Sequence, residues 1–87
     1  MELDEIKPKT RAFITRSFKD YDLQDDEDIF SAGFVNSLFA MQLVMYVEKE
    51  FRVKVEDQDL HIDNFRTITA IAELVRRKKA ATNGSSL

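Results

Sequence analysis

The sequence has no cysteine, no tryptophan, one proline, two glycines and one histidine among its 87 residues. Without cysteine it cannot form a disulfide, a zinc–thiolate site or a thiol nucleophile. No apolar run approaches the roughly 20 residues that span a bilayer. The N-terminal segment "MELDEIKPKT" also lacks the apolar region of a secretory signal. We therefore expect a soluble, cytoplasmic protein that has no membrane partner.

The scarcity of backbone breakers indicates an all-α fold. Pro8, Gly33 and Gly84 are the only proline and glycines, and alternating β-branched residues occur only in the short run "VKV". The length predicts a single domain. The fold class that follows is a small four-helix bundle.

The helical periodicity predicts where these elements lie. The first helix is expected over residues 7–18, with Pro8 at its first position, where the missing N–H does no harm. A long loop over residues 19–36 leads to a second helix over residues 37–51. A short third helix is expected near 57–62, and the last begins near Thr67. Residues 1–79 would form the domain, and residues 80–87 a flexible tail.

Charge is distributed unevenly along the chain. Residues 20–63 carry twelve acidic and three basic side chains, a net charge of −9, although the whole chain has only −3. This acidic middle would repel nucleic-acid phosphates. It could instead steer the protein towards partners with basic surfaces.

The long loop, "KDYDLQDDEDIFSAGFVN", contains apolar residues that can pack on the core. These are Leu23, Ile29, Phe30 and Phe34. Gly33 suits a positive φ. The stretch that starts at Asp20 does not match a calcium site: an EF-hand loop needs glycine at its sixth position and glutamate at its twelfth, where this stretch has Asp25 and Ser31. We expect no specific metal site.

The second helix has one apolar face and two further large apolar residues on the opposite side. At 100° per residue, one stripe faces the core: Ala40, Leu43, Val44, Val47 and Phe51. Leu38, Gln42, Met45 and Lys49 lie on the opposite side. Leu38 and Met45 are therefore exposed to solvent or to a partner.

Ser37 stands just before this apolar helix, and three roles are open to it. A serine nucleophile needs a general base; His61 is the only histidine, and the G-x-S-x-G turn of serine hydrolases is absent. As a helix cap, Ser37 lacks the Glu or Gln of a capping box, because Ala40 lies three residues on. As a modified residue, it would place a phosphodiester at the positive end of the helix, a favourable position.

The segment "DIFSAGFVNSLFAMQLVMYVEKEFRVKV", followed by "NFRTITAIAELV", resembles acyl carrier proteins. These are small four-helix bundles that hold acyl groups on a phosphopantetheine arm. Gly33 precedes the site in the family's G-x-[DN]-S-L-like hallmark. Ser37 matches the modified serine and Leu38 the leucine after it. Further matches are Phe51, Phe65, Thr67 and Ile68, and the resemblance covers about residues 10–76.

The resemblance implies that a phosphopantetheinyl transferase attaches 4′-phosphopantetheine from coenzyme A to Ser37. The chain would then carry an acyl group as a thioester, have no catalytic residue of its own and act as a monomer. Its further partners would be acyl-loading and acyl-modifying enzymes and a polyketide synthase acyltransferase or ketosynthase. The cargo could lie between helices two and three, against a predicted lining of Phe30, Val44, Val47, Phe51, Val55 and Phe65.

The sequence also departs from the family. Asn36 replaces the aspartate that most often precedes the serine, and helix two carries fewer acids than usual. We therefore expect recognition to depend more on apolar contacts than on charge. The predicted recognition residues are Asn36, Leu38, Phe39, Met41, Met45 and Glu48.

The segment "VNSLFAMQLVMYVEKEF" looks like discrete carriers of methoxymalonyl or aminomalonyl extender units in polyketide pathways, a role in antibiotic biosynthesis. Fatty acid carriers, aminoacyl carriers of the peptidyl or D-alanyl type, and an unmodified helical interaction module remain as alternatives.

Overall fold

The computed structural model describes residues 2–16, 22–31, 33 and 37–85, with side chains described for all of these except 37 and 81–85. Within these ranges four α-helices follow one another, with a single 3-10 turn between the second and third. They are α1 (Leu3–Thr15), α2 (Ser37–Phe51), the turn Asp57–Asp59, α3 (Ile62–Phe65) and α4 (Ile68–Ser85). The described ranges contain no strand, which confirms the all-α prediction. In the same ranges, no helix has the length and apolar character required to cross a membrane.

A core built from every helix holds the bundle together. α4 contributes five of the fourteen buried apolar side chains, more than any other helix, and α1 and α3 both pack against α4. The buried apolar side chains are Ile6, Ile14, Leu23, Ile29, Leu43, Val47, Phe51, Val53, Phe65, Ile68, Ile71, Ala72, Leu74 and Val75. Thr10 is the one buried polar residue of the described side chains, and its hydroxyl donates to the Ile6 carbonyl oxygen at 2.9 Å. Burial on this scale is the main force that stabilises so short a chain.

The start of α1 differs from the prediction. The helix begins at Leu3, so Pro8 lies inside it instead of at its first position. The Glu2 carbonyl oxygen accepts bonds from the N–H groups of Glu5 and Ile6, at 3.0 and 3.1 Å. The earlier turn brings Ile6 into the core, where it is fully buried. Pro8 has no N–H to donate to the carbonyl oxygen of Asp4, four residues earlier. Both residues are exposed, so water can bind that oxygen instead.

α2 has the predicted bounds and the predicted buried stripe. Leu43, Val47 and Phe51 are buried, whereas Ala40 and Val44 are half-buried beside them. The helix ends in a Schellman-type turn. In this turn the Val53 N–H donates to the Glu48 carbonyl oxygen at 3.3 Å, and Arg52 takes φ 55°.

The segments after α2 differ in detail from the prediction. The expected short helix over 57–62 is instead a 3-10 turn over Asp57–Asp59 followed by α3 over Ile62–Phe65. The side chains of Glu56 and Asp59 form a capping box at the start of the turn. α4 continues to Ser85, beyond the expected end at residue 79. Alanines 80 and 81 favour the helix, and the segment has no proline to end it.

Candidate attachment and docking site

The segment before α2 is held against the α3–α4 junction. The Ile29 N–H donates to the Arg66 carbonyl oxygen at 2.8 Å, and the Thr69 N–H donates to that of Asp25 at 3.0 Å. Leu23 and Ile29 are buried, as predicted, and Phe30 is half-buried; Phe34 lies outside the described residues. Gly33 has φ +86°, the left-handed conformation expected for it. Residues 22–31 are thus held in place by both side-chain burial and backbone hydrogen bonds.

Asp28 organises the turn in this segment. One carboxylate oxygen accepts the N–H groups of Phe30 and Ser31, at 2.9 and 3.1 Å. The other lies 3.5 Å from Arg66 Nε. The Ser31 N–H, followed by the Phe30 N–H and the Arg66 charge, holds the pKa of Asp28 below its ordinary value.

Ser37 is the first residue of α2, where the sequence placed it. The helix presents three large apolar side chains to solvent along its first nine residues. Leu38, Met41 and Met45 are 69%, 67% and 65% exposed, and we refer to them as the exposed stripe. Their spacing places them on one side of the helix. Exposed apolar side chains grouped in this way mark an interaction site more often than scattered ones do. Asn36, the other residue predicted beside Ser37, lies outside the described residues.

Phe39 belongs to an aromatic stack between α1 and α2. Its ring stacks on Phe13 with a centroid distance of 5.5 Å, and Phe13 stacks in turn on Tyr46 at 4.1 Å. The Tyr46 hydroxyl donates to the Lys9 carbonyl oxygen at 3.1 Å. Burial, followed by the nearby charge of Glu50, raises the pKa of Tyr46. Phe39 therefore joins the two helices and offers a partner less surface than the exposed stripe does.

Glu48 also has a partner within the chain. Its carboxylate Oε2 accepts the Val55 N–H at 2.9 Å, and the side chain is half-buried. Glu48 thereby holds the segment that follows α2 against the helix. Its role in partner recognition stays a prediction, which binding measurements can test.

A cavity of about 170 Å³ lies between α2 and the segment around α3, and we call it the α2–α3 cavity. Its lining is Phe30, Ala40, Leu43, Val44, Leu60, His61, Ile62 and Phe65. Three predicted lining residues are present: Phe30, Val44 and Phe65. The prediction that Val47 and Phe51 line the cavity was wrong, because both side chains are fully buried in the core. Val55 packs beside the core and does not line the cavity.

The outer wall of this cavity was not predicted from the sequence. Leu60 and Ile62 are 53% and 52% exposed, and together with His61 they form its rim. The two large apolar residues that flank His61 in "DLHID" were the available signal. His61 itself is exposed.

A wider, open groove of about 560 Å³ runs along the other side of α2, between Met45, Tyr46 and Phe13 of α1. Its first lining residue on α2 is Gln42, whereas the α2–α3 cavity begins at Ala40, one turn after Ser37. The smaller cavity is therefore the nearer of the two to the start of the helix.

The start of α2 fits a covalently attached phosphodiester. The exposure of Leu38 shows that this helix end is at the surface, within reach of a modifying enzyme. The N–H groups of a first helical turn and the helix dipole both favour a phosphate there. Among the described residues, no group of three His, Asp or Glu side chains could hold a metal ion.

Comparison with known proteins gives a consistent result. The sequence profile of a family described as "Phosphopantetheine attachment site" matches residues 18–75. D-alanyl carrier proteins of Streptococcus pyogenes are 34% identical over 56 residues, which is 64% of this chain and 71% of theirs. They include those of serotype M5 (strain Manfredo), serotype M49 (strain NZ131) and serotype M1.

The helical fold and the surface-exposed helix start thus define a small carrier protein. The chain belongs to the family of phosphopantetheine-attachment proteins, whose prosthetic group is covalently bound 4′-phosphopantetheine. This result speaks against the alternative of an unmodified helical interaction module.

Proposed function

We propose that Ser37 bears the phosphopantetheine arm and that the protein presents a short acyl unit on it to partner enzymes. The observation that carries the proposal is the coincidence of Ser37 with the first residue of an exposed apolar helix. The matched region, residues 18–75, contains two serines, Ser31 and Ser37. Ser31 lies in the turn held by Asp28 and does not start a helix.

In this proposal the arm supplies a thiol that carries the cargo as a thioester, which accounts for a carrier without cysteine. The chain's own residues bind and orient. The exposed stripe provides the docking surface for the phosphopantetheinyl transferase and for the enzymes that load, modify and accept the cargo. Such contacts must break after each transfer, so we expect an interface of about 1,200 Å² or less. The chain itself would catalyse no reaction.

The size of the α2–α3 cavity favours a short cargo. At about 170 Å³ it is close to the engineered cavity of about 150 Å³ that accommodates benzene. A three-carbon extender unit of the methoxymalonyl or aminomalonyl type meets this limit, and a long fatty acyl chain does not. We therefore place the protein in polyketide or related secondary-metabolite biosynthesis, with a polyketide synthase acyltransferase or ketosynthase as a partner.

A D-alanyl unit is the second candidate cargo. It is supported by the 34% identity to D-alanyl carrier proteins, and it is also short enough for the cavity. The lining favours an uncharged group, because seven of its eight side chains are hydrocarbon and only His61 has polar atoms. The carboxylate of a malonyl-type unit and the ammonium group of D-alanine would each lose hydration inside that lining without gaining a counter-charge, so the lining does not separate the two cargoes.

Intact mass spectrometry tests the attachment site. The protein is incubated with coenzyme A and a phosphopantetheinyl transferase of broad specificity. Wild type and the control Ser31→Ala should each gain one phosphopantetheine, and Ser37→Ala should gain none. Addition to Ser37→Ala would overturn the assignment of the site.

The cargo is tested on protein that already carries the phosphopantetheine arm. Each candidate cargo is supplied together with the enzyme that activates it. A malonyl-type acyltransferase should add its unit. A D-alanine-activating enzyme should add nothing if the extender-unit assignment holds. The reverse result would make the protein an aminoacyl carrier and would leave the Ser37 assignment intact.

A further inference from the structure

A charged pair joins α4 to the turn Asp57–Asp59, which directly precedes the rim residues of the α2–α3 cavity. Lys78 of α4 places its Nζ 2.8 Å from Asp59 Oδ2 and 3.7 Å from Glu56 Oε2. The side chains of Lys78 and Asp59 are only 20% and 15% exposed. Pairs this well covered are stronger and less screened than surface ion pairs.

Asp59 links this pair to the turn Asp57–Asp59. Its Oδ2 accepts the Glu56 N–H at 2.9 Å, and its own N–H donates to the Glu56 carbonyl oxygen, also at 2.9 Å. The charge of Lys78 stabilises the carboxylate, and the Lys78 hydrogen bond, followed by that of the Glu56 N–H, lowers the pKa of Asp59. The turn is therefore fixed to α4 by Lys78, with Asp59 as its nearer carboxylate partner and Glu56 as the more distant one.

The backbone of Asp59 transmits this position to the rim. Its carbonyl oxygen accepts the His61 N–H at 2.9 Å and the Asn64 side-chain amide at 2.8 Å. Leu60, His61 and Ile62 then face Ala40 and its neighbours across the cavity. A continuous set of contacts thus runs from Lys78 through Asp59 to the outer cavity wall.

We propose that Lys78 and Asp59 are positioning residues that set the opening of the α2–α3 cavity and so determine how long cargo stays inside the bundle. The inference rests on the proposed carrier function. Its physical basis is that Leu60 and Ile62 are half-exposed and have little burial of their own to hold them. A segment with few buried contacts opens locally unless other bonds restrain it.

The first test is hydrogen exchange of the backbone amides, read by mass spectrometry on peptides that cover residues 56–64. Lys78→Met removes the charge and keeps most of the side-chain length. It should speed exchange at the Leu60 and His61 amides about tenfold, as expected for the loss of one partly screened charge-assisted hydrogen bond. Arg76→Met is the control, because it removes one positive charge from an exposed position of the same helix.

Two further variants separate positioning from a general loss of stability. Lys78→Arg keeps the charge and should restore slow exchange. Asp59→Asn keeps an oxygen for the Glu56 N–H and removes the charge, so it should speed exchange by a smaller factor. Once Lys78 is replaced, Asp59→Asn should add little. Equal acceleration in α1 peptides would show that the pair stabilises the whole bundle, and this would overturn the proposal.

The second test measures cargo directly. A transferase is supplied with butyryl-coenzyme A so that it adds the butyryl-bearing arm, and loss of the butyryl group to hydroxylamine is followed by intact mass. The thioester on Lys78→Met should react several times faster than that on wild type or Arg76→Met. Equal rates would overturn the inference. If wild type accepts no arm, it is the carrier assignment at Ser37 that falls instead.

Discussion

Glu48 allows the roles of packing and recognition in α2 to be separated. The sequence predicts it as a recognition residue, whereas the structure shows its carboxylate accepting the Val55 N–H at 2.9 Å. We expect Glu48→Ala to destabilise the fold and to leave docking largely intact. Met45→Gln should do the opposite, because Met45 is 65% exposed and lies on the exposed stripe.

The expected loss of stability follows from this one hydrogen bond. A hydrogen bond to a charged group contributes about 1.5–3 kcal/mol. Glu48 and Val55 are both half-buried, so water can replace part of that bond after substitution. The higher helix propensity of alanine reduces the loss of stability by roughly a further few tenths of a kcal/mol. The net cost should be about 1 kcal/mol.

Urea denaturation followed by circular dichroism measures this change. With a slope of about 1 kcal/mol per molar, typical of a small domain, the midpoint should fall by about 1 M. Glu48→Gln keeps an acceptor oxygen and should lose less. Glu50→Ala is the matched control, because Glu50 forms an ion pair with Lys9 at 3.3 Å that is exposed on both sides. Such pairs contribute about 0–1 kcal/mol.

Partner binding completes the test, with the phosphopantetheinyl transferase as the partner and its KM as the readout. Met45→Gln should raise KM more than Glu48→Ala does. The reasoning is refuted if Glu48→Ala keeps the wild-type urea midpoint and raises KM more than Met45→Gln. That result would assign Glu48 to the docking surface.

Three further predictions follow from other parts of the fold. Arg52→Gly should stabilise the protein by about 1 kcal/mol, because φ 55° strains any residue with a Cβ; the urea midpoint measures this. Leu43→Ala should cost about 2–5 kcal/mol by the same measurement, since it removes a side chain that is 1% exposed. Asp28 should make the free energy of unfolding depend on pH in the acidic range. Its pKa is lowered in the folded state, so its contribution is complete above the ordinary value of 3.8 and is lost as pH falls through the folded value. Asp28→Asn should remove that part of the acid transition, as seen by circular dichroism against pH; an unchanged transition would contradict the assignment.

Local sequence determined the features that depend on near neighbours in the chain. The bounds of α2 are as predicted, because its apolar residues recur at the helical period and no breaker lies between Ser37 and Phe51. Gly33 adopts a positive φ at the position where glycine is the residue least strained by it. Leu23 and Ile29 are buried because apolar side chains in an acidic loop have few other places to pack.

Only the tertiary structure decided the features that depend on contacts distant in sequence. Pro8 lies inside α1 because burial of Ile6 against the bundle outweighs one lost helical hydrogen bond. The third helix is displaced because Lys78, nineteen positions after Asp59, holds the preceding turn. Tertiary packing likewise sets the partners of two α2 side chains. Glu48 accepts the Val55 N–H, and Phe39 stacks on Phe13. A residue's type and its position in the helix predict whether its side chain faces the core or solvent. Its contact partner depends on how segments distant in sequence pack together, which the local sequence pattern does not encode.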